Sequence, residues 1–126
     1  MRRCLILLVL LVTSCVAIPR TYIHDARRLH PEGWYKTLFA AAESCVALGR
    51  MPRDIDFEDL EWYVVEHDAI EGVAGLYSPP DRIFLDANFV LNGLVVYHEA
   101  LHALVNTSAA DNDTTFLRCI QVANDI

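Results

Sequence analysis

The chain has 126 residues, a formal charge of −7 at neutral pH, 54% hydrophobic residues and a single lysine, Lys36. That length suits one domain built on one core. An acidic chain without a Lys/Arg cluster is a poor partner for nucleic acid, and an anionic membrane surface repels it unless a lipid holds it there.

At the N-terminus, Arg2 and Arg3 precede an unbroken apolar run from Leu5 to Val12, too short to span a bilayer and built like a secretory signal. Val12-Thr13-Ser14-Cys15 resembles the bacterial lipobox, in which the cysteine is lipidated and becomes the new N-terminus. Residues 1–15 are therefore expected to be a lipoprotein-type signal, with Cys15 as the lipidation site. Ordinary cleavage after Ala17 is the alternative and would release the chain in secreted form; an uncleaved anchor is the third. Each reading places the rest of the chain outside the cytoplasm. The first predicts a bacterial cell-envelope protein, held to a membrane by its N-terminal lipid only and facing the periplasm or the exterior. Loss of Arg2 and Arg3 takes the charge from −7 to −9.

With Cys4 discarded and Cys15 lipidated, Cys45 and Cys119 remain as one pair in an oxidising compartment, and a disulfide between them is expected. A bridge closing so long a loop is worth on the order of 4–5 kcal/mol in the chain-entropy account.

Residues 16–30 read as a polar connector, and residues 31–126 as the single folded domain. Pro31 and Glu32 suit the start of a helix. Trp34, Leu38, Ala42 and Cys45 then repeat at helical spacing, widened by Tyr35, Phe39 and Val46, which predicts a helix over about 32–48. Gly49 is the expected left-handed residue at its end. Pro52 opens a connector, and Asp56 to Asp59 marks a turn. Leu60 to Glu66, rich in aromatic and β-branched residues, predicts a strand. Residues 73–77 and 82–86 can pair as a hairpin around Ser78-Pro79-Pro80-Asp81.

A longer helix is expected over about 88–107, capped by Asp86 or Asn88. A polar loop follows from Asn106 to Asn112, and Asp113-Thr114-Thr115 can cap a last helix carrying Phe116, Leu117, Cys119, Ile120 and Ala123. The fold class is α+β: an N-terminal helix, a small twisted sheet of short strands, a central helix and a short C-terminal helix. The expected core is Trp34, Leu38, Phe39, Trp62, Val64, Phe84, Leu94, Leu101 and Phe116.

The chemistry lies in the longer helix. His98-Glu99-Ala100-Leu101-His102 is a His-Glu-x-x-His motif inside an apolar stretch. Residues four apart share a helix face, so His98 and His102 project toward one point and can hold one zinc ion. Glu99, beside the first ligand, can reach a water at that ion and act as its base. The plainer reading is a buried helix whose histidines bond only to backbone and nearby acids. A catalytic zinc wants three protein ligands. Asp111, just past the C-terminal end of the helix, is the expected third; Asp113 is the alternative, although it also suits a helix cap. His67 could fold back from its strand, and a site without a third protein ligand is the remaining option.

Residues 95–119 resemble small bacterial zincin-like putative metallopeptidase lipoproteins. In these, a His-Glu-x-x-His-Ala-Leu helix is followed by a loop with a third histidine, then a Phe and a Cys. The matching positions here are His98, Glu99, His102, Phe116 and Cys119, with Asp111 nearest the third ligand. The resemblance implies a minimal zincin-like domain, a Zn2+ cofactor, Glu99 as general base, and a peptide or protein substrate bound in extended form along an edge strand. Tyr63, Tyr77 and Tyr97 are candidate donors to the oxyanion. A monomer is expected. Aspartate stands where that family has histidine. The alternative is therefore a catalytically inactive zincin-like lipoprotein with a binding or structural role in the cell envelope.

Overall fold

A computed structural model of the chain describes residues 25–106 and 113–125. The signal segment with Cys15 and the loop with Asp111 lie outside the described residues. The elements are β1 (Arg27–Leu29), α1 (Gly33–Ala47), β2 (Glu61–Val65), β3 (Gly75–Ser78), β4 (Arg82–Asp86), α2 (Gly93–Val105) and α3 (Thr114–Asn124). Short 3-10 turns at Phe57–Asp59 and Ala87–Phe89 lead into β2 and toward α2. This is an α+β domain in which N- and C-terminal helices flank a small twisted sheet and the motif helix.

The strands run in the order β1-β2-β4-β3. β1 is antiparallel to β2, β2 parallel to β4, and β4 antiparallel to β3, with Tyr77 opposite Ile83 and Tyr63 opposite Phe84. Side chains alternate across the sheet as a pleat requires. Ile83 and Leu85 enter the main core with Trp62 and Tyr77, whereas Phe84 joins Val65 and Ile70 in a small cluster on the opposite face. The main core holds residues of α1, α2 and α3, including Tyr35, Phe39, Leu101, Leu104 and Phe116, while the small cluster draws on none of them. The helices therefore cover one face of the sheet, and β3 forms its edge on the side of α2.

Several expectations are corrected. Arg27–Leu29, inside the expected connector, is a strand; three residues with two arginines carry almost no apolar signal, and only pairing with β2 orders them. α1 begins at Gly33, with Glu32 as its N-cap, so Pro31 lies before the helix. The C-terminal end of α1 is not closed by a left-handed Gly49: Leu48 caps it in a right-handed conformation. Gly49 instead makes room for α3, since a Cβ there would fall 2.7 Å from Thr115 Oγ1.

The motif helix starts at Gly93, not near residue 88, because Asn92 is its N-cap and Asp86 caps the preceding 3-10 turn through Asn88 N–H. Leu94, assigned to the core, is 53% exposed, and Trp34, Leu38 and Val64 are only partly buried. Tyr35, Ala42 and Val46 supply the buried stripe of α1.

Cys45 and Cys119 are joined by a disulfide, with a Cα–Cα distance of 5.9 Å. It ties α1 to α3, and Arg118 reinforces the junction by donating to the Cys45 carbonyl at 2.9 Å. Among the described residues, no helix is long and apolar enough to cross a membrane.

Candidate metal centre

α2 is positioned at both ends by asparagine. Asn92 Oδ1 accepts the N–H groups of Leu94 and Val95 at 3.1 and 3.2 Å, satisfying donors that the first turn leaves without helical partners. At the other end Asn106 adopts a left-handed conformation (φ 54°) and returns its N–H to the His102 carbonyl. Asn106 Oδ1 accepts the Tyr77 hydroxyl at 2.8 Å, which pins the end of the helix to β3.

Along the helix, Val96, Ala100, Leu101, Ala103 and Leu104 are fully buried, and this fixes its rotation. His98 and His102 then stand one turn apart, their Nε2 atoms 3.0 Å from each other. At that distance the rings either share one proton or converge on one cation. Two zinc–imidazole bonds of about 2.0–2.1 Å at a tetrahedral angle would hold the nitrogens roughly 3.3 Å apart. The pair is close to that spacing.

Aromatic rings hold the two imidazoles in place. Phe116 of α3 packs on both, with centroid distances of 5.3 Å to His98 and 4.6 Å to His102. The Tyr77 ring lies nearly parallel to His102 at 6.5 Å.

Glu99 belongs to the same constellation. One ligand atom from each of His98, Glu99 and His102 lies within 4.8 Å of the others. The Glu99 side chain is buried at 4% exposure, and its Oε2 has no hydrogen-bond partner. Burial pushes the Glu99 carboxyl up to about 8, and the nearby Tyr77 backbone N–H offsets this only in part. No arginine pairs with it among the described residues: Arg82 bonds to Glu61, and Arg118 to the Cys45 carbonyl.

These residues open on a cleft of about 520 Å³ between α2, α3 and the edge strand β3, lined by Val73 to Tyr77, Val95, Tyr97 and Ile120. A converging imidazole pair, an orphaned buried carboxylate oxygen and an adjoining cleft fit a zinc ion and have the donor chemistry that zinc prefers. The small α+β domain thus carries a His-Glu-x-x-His motif of plausible zinc-binding geometry.

The other expected participants fall elsewhere. Asp113 uses Oδ1 to cap α3 through Phe116 N–H at 2.9 Å, and its Oδ2 pairs with Arg50 at 2.6 Å. Each oxygen thus already has a structural partner. His67 is bonded to Asp86 at 3.0 Å and lies 3.4 Å from Asp68. It belongs to a separate cluster around the buried Asp86, which also accepts from Asp68 N–H and Asn88 N–H. Those bonds, with the His67 ring, outweigh burial and hold the Asp86 carboxyl below its usual value.

The tyrosine hydroxyls are committed to protein partners. The Tyr77 hydroxyl lies 2.8 Å from Asn106 Oδ1 and 2.9 Å from the Pro80 carbonyl, Tyr97 lies 3.4 Å from the Cys119 carbonyl, and Tyr63 lies 3.5 Å from Glu61. Gly75 and Phe116 contribute to the site beyond the residues expected of it. A glycine inside a strand is a signal for close approach of another group, and Phe116 stands in the family-like stretch and the expected core without a stated role at the site.

Compared with known proteins, the chain has no match among family models, curated proteins or solved structures.

Proposed function

We propose that this protein is a zinc-dependent metallopeptidase with a minimal zincin-like domain. The observation that carries the proposal is the convergence of His98 Nε2, His102 Nε2 and the buried Glu99 carboxylate on a cleft bordered by an edge strand. His98 and His102 would hold the ion, with Asp111 as third ligand from the loop after α2. Bound zinc supplies Lewis acidity toward a scissile carbonyl and lowers the pKa of water at the site.

The chain's own residues do the rest. Glu99 takes the proton of the attacking water on Oε2 and returns it to the leaving amine; a carboxyl held near neutrality by burial is suited to that exchange. Among the described residues β3 is an edge strand, and its outward backbone groups are where an extended peptide can add as a further strand. Phe116 and Tyr77 hold the imidazoles and limit water around them. The substrate is a peptide or protein segment, and the acidic chain acts as a monomer. Lipidation at Cys15 would keep it at the bacterial cell envelope, with secretion after Ala17 as the alternative.

A second reading is favoured by the depth of Glu99, which is pressed against β3 at 4% exposure. In that reading the domain is a catalytically inactive envelope protein with a binding or structural role, and Glu99 is part of its packing.

Glu99→Gln separates the two. The peptidase reading requires zinc to be retained and cleavage of an unstructured protein substrate to fall by at least about a hundredfold, the usual scale of a lost general base. Zinc-loaded wild type without cleavage favours the second reading. Asp111→Ala should weaken zinc binding, and unchanged affinity would remove Asp111 as a ligand.

A further inference from the structure

We infer that Gly75 is the positioning residue of the Glu99 carboxylate: its missing side chain forms the seat against which β3 holds Glu99. The inference rests on the proposed role of Glu99 only for its catalytic consequence, since the contact itself is a feature of the fold. An ideal Cβ on Gly75 would lie 2.7 Å from Glu99 Cγ, 2.8 Å from Oε1 and 2.9 Å from Cδ. Carbon and oxygen atoms do not approach so closely without repulsion, so any larger residue displaces the carboxylate. The backbone of Gly75 lies outside the positive-φ region; Gly72 is the glycine there. Conformational freedom is therefore not what the position needs. Space is.

The strand register places Gly75 at the edge of the sheet. Asp86 N–H donates to the Ala74 carbonyl, and the β3–β4 ladder continues with Leu76 opposite Phe84 and Ser78 opposite Arg82. Antiparallel pairing alternates, so residues 74, 76 and 78 turn their backbone groups to β4 while Gly75 and Tyr77 turn theirs away from it. The Glu99 methylene and carboxylate rest on Gly75, and Oε2 is left as the unpartnered atom of a buried group. β3 thus serves the site twice, as an edge for an extended ligand and as the rest that fixes the proton-carrying group. A side chain on Gly75 would break the second task without touching His98 or His102.

The test is a double-mutant comparison on the full chain, read first as the urea midpoint of the zinc-free protein. Gly75→Ala should lower the midpoint, because the new methyl strikes the Glu99 side chain. In Gly75→Ala combined with Glu99→Ala most of that loss should disappear, because the three atoms nearest the new methyl are gone. An unchanged midpoint in Gly75→Ala, or the same loss with and without the Glu99 side chain, would overturn the inference.

In zinc-loaded protein, Gly75→Ala should lower kcat at least about tenfold with zinc stoichiometry retained and KM within about twofold, the pattern of a lost transition-state interaction. Wild-type kcat in that variant would also overturn it. A wild type that binds zinc and cleaves nothing counts against the peptidase reading alone, and the double-mutant comparison then decides the role of Gly75.

Discussion

Gly75 seats Glu99: a Cβ on Gly75 would fall 2.7 Å from Glu99 Cγ, so the edge strand meets the helix that carries both histidines with no room for a side chain between them. The contact places an ionisable group where water barely reaches it. The same helix is tied to β3 a second time through Asn106 and the Tyr77 hydroxyl. Cleft, strand and motif helix therefore behave as one unit, and the consequences are measurable.

In zinc-free protein, Glu99 makes stability depend on pH. An unfolded glutamate ionises near 4.5, whereas Glu99 in the fold keeps its proton to about 8. Between these values the folded state binds more protons than the unfolded one, so stability falls as pH rises through that window and levels off above it. The urea midpoint of chelator-treated wild type should drop between pH 5 and pH 8, and Glu99→Gln should lack that part of the drop. Parallel profiles for the two proteins would contradict the assignment.

Asp86 acts in the opposite sense. Its carboxyl is held below the ordinary 3.8 although burial opposes this, because Asn88 N–H, Asp68 N–H and His67 bond to its charged form. The stability it contributes is present above pH 3.8 and is lost as pH falls through the lowered folded value. Asp86→Ala should cost about 2–3 kcal/mol at neutral pH, as expected for lost hydrogen bonds to a buried charge. Its stability should also vary less below pH 4 than that of wild type. Denaturant titrations at pH 3 and pH 7 check both statements.

The disulfide closes a sequence separation of 74 residues. Cys45→Ser with Cys119→Ser, or reduction of the wild type, should lower stability by about 4 kcal/mol in the chain-entropy account. Unfolding midpoints of oxidised and reduced protein that coincide would show that the bridge adds little.

Asp113 offers a separate test of the site. As cap of α3 and partner of Arg50, its replacement by alanine should cost about 1 kcal/mol of stability. Zinc content of Asp113→Ala should equal that of wild type, and loss of zinc would make Asp113 the third ligand.

What was legible in the chain was what local pattern encodes. The apolar stripes of α1 and α2, the Pro79-Pro80 turn between paired strands and the Asp113 cap all follow from residue type and spacing over a few positions. The proximity of His98 and His102 was legible for the same reason, since four residues along a helix set it. Features decided by distant partners were not. Leu94 continues the apolar pattern of its helix but falls on the side facing the cleft and solvent, and only the rotation set by Ala100, Ala103 and Leu104 decides that. Gly49 reads from the sequence as a helix end and Gly75 carries no local pattern, yet each makes room for a side chain that arrives from elsewhere in the chain, Thr115 and Glu99. Arg27–Leu29 is a strand only because β2 lies beside it.

The central claim is that His98 and His102 bind zinc, and the metal content of the purified full chain tests it most directly. Elemental analysis after expression with zinc and removal of loosely held metal should find one zinc per chain in wild type and none in His98→Ala or His102→Ala. Wild-type protein that is folded, disulfide-bonded and free of zinc under those conditions would contradict the account.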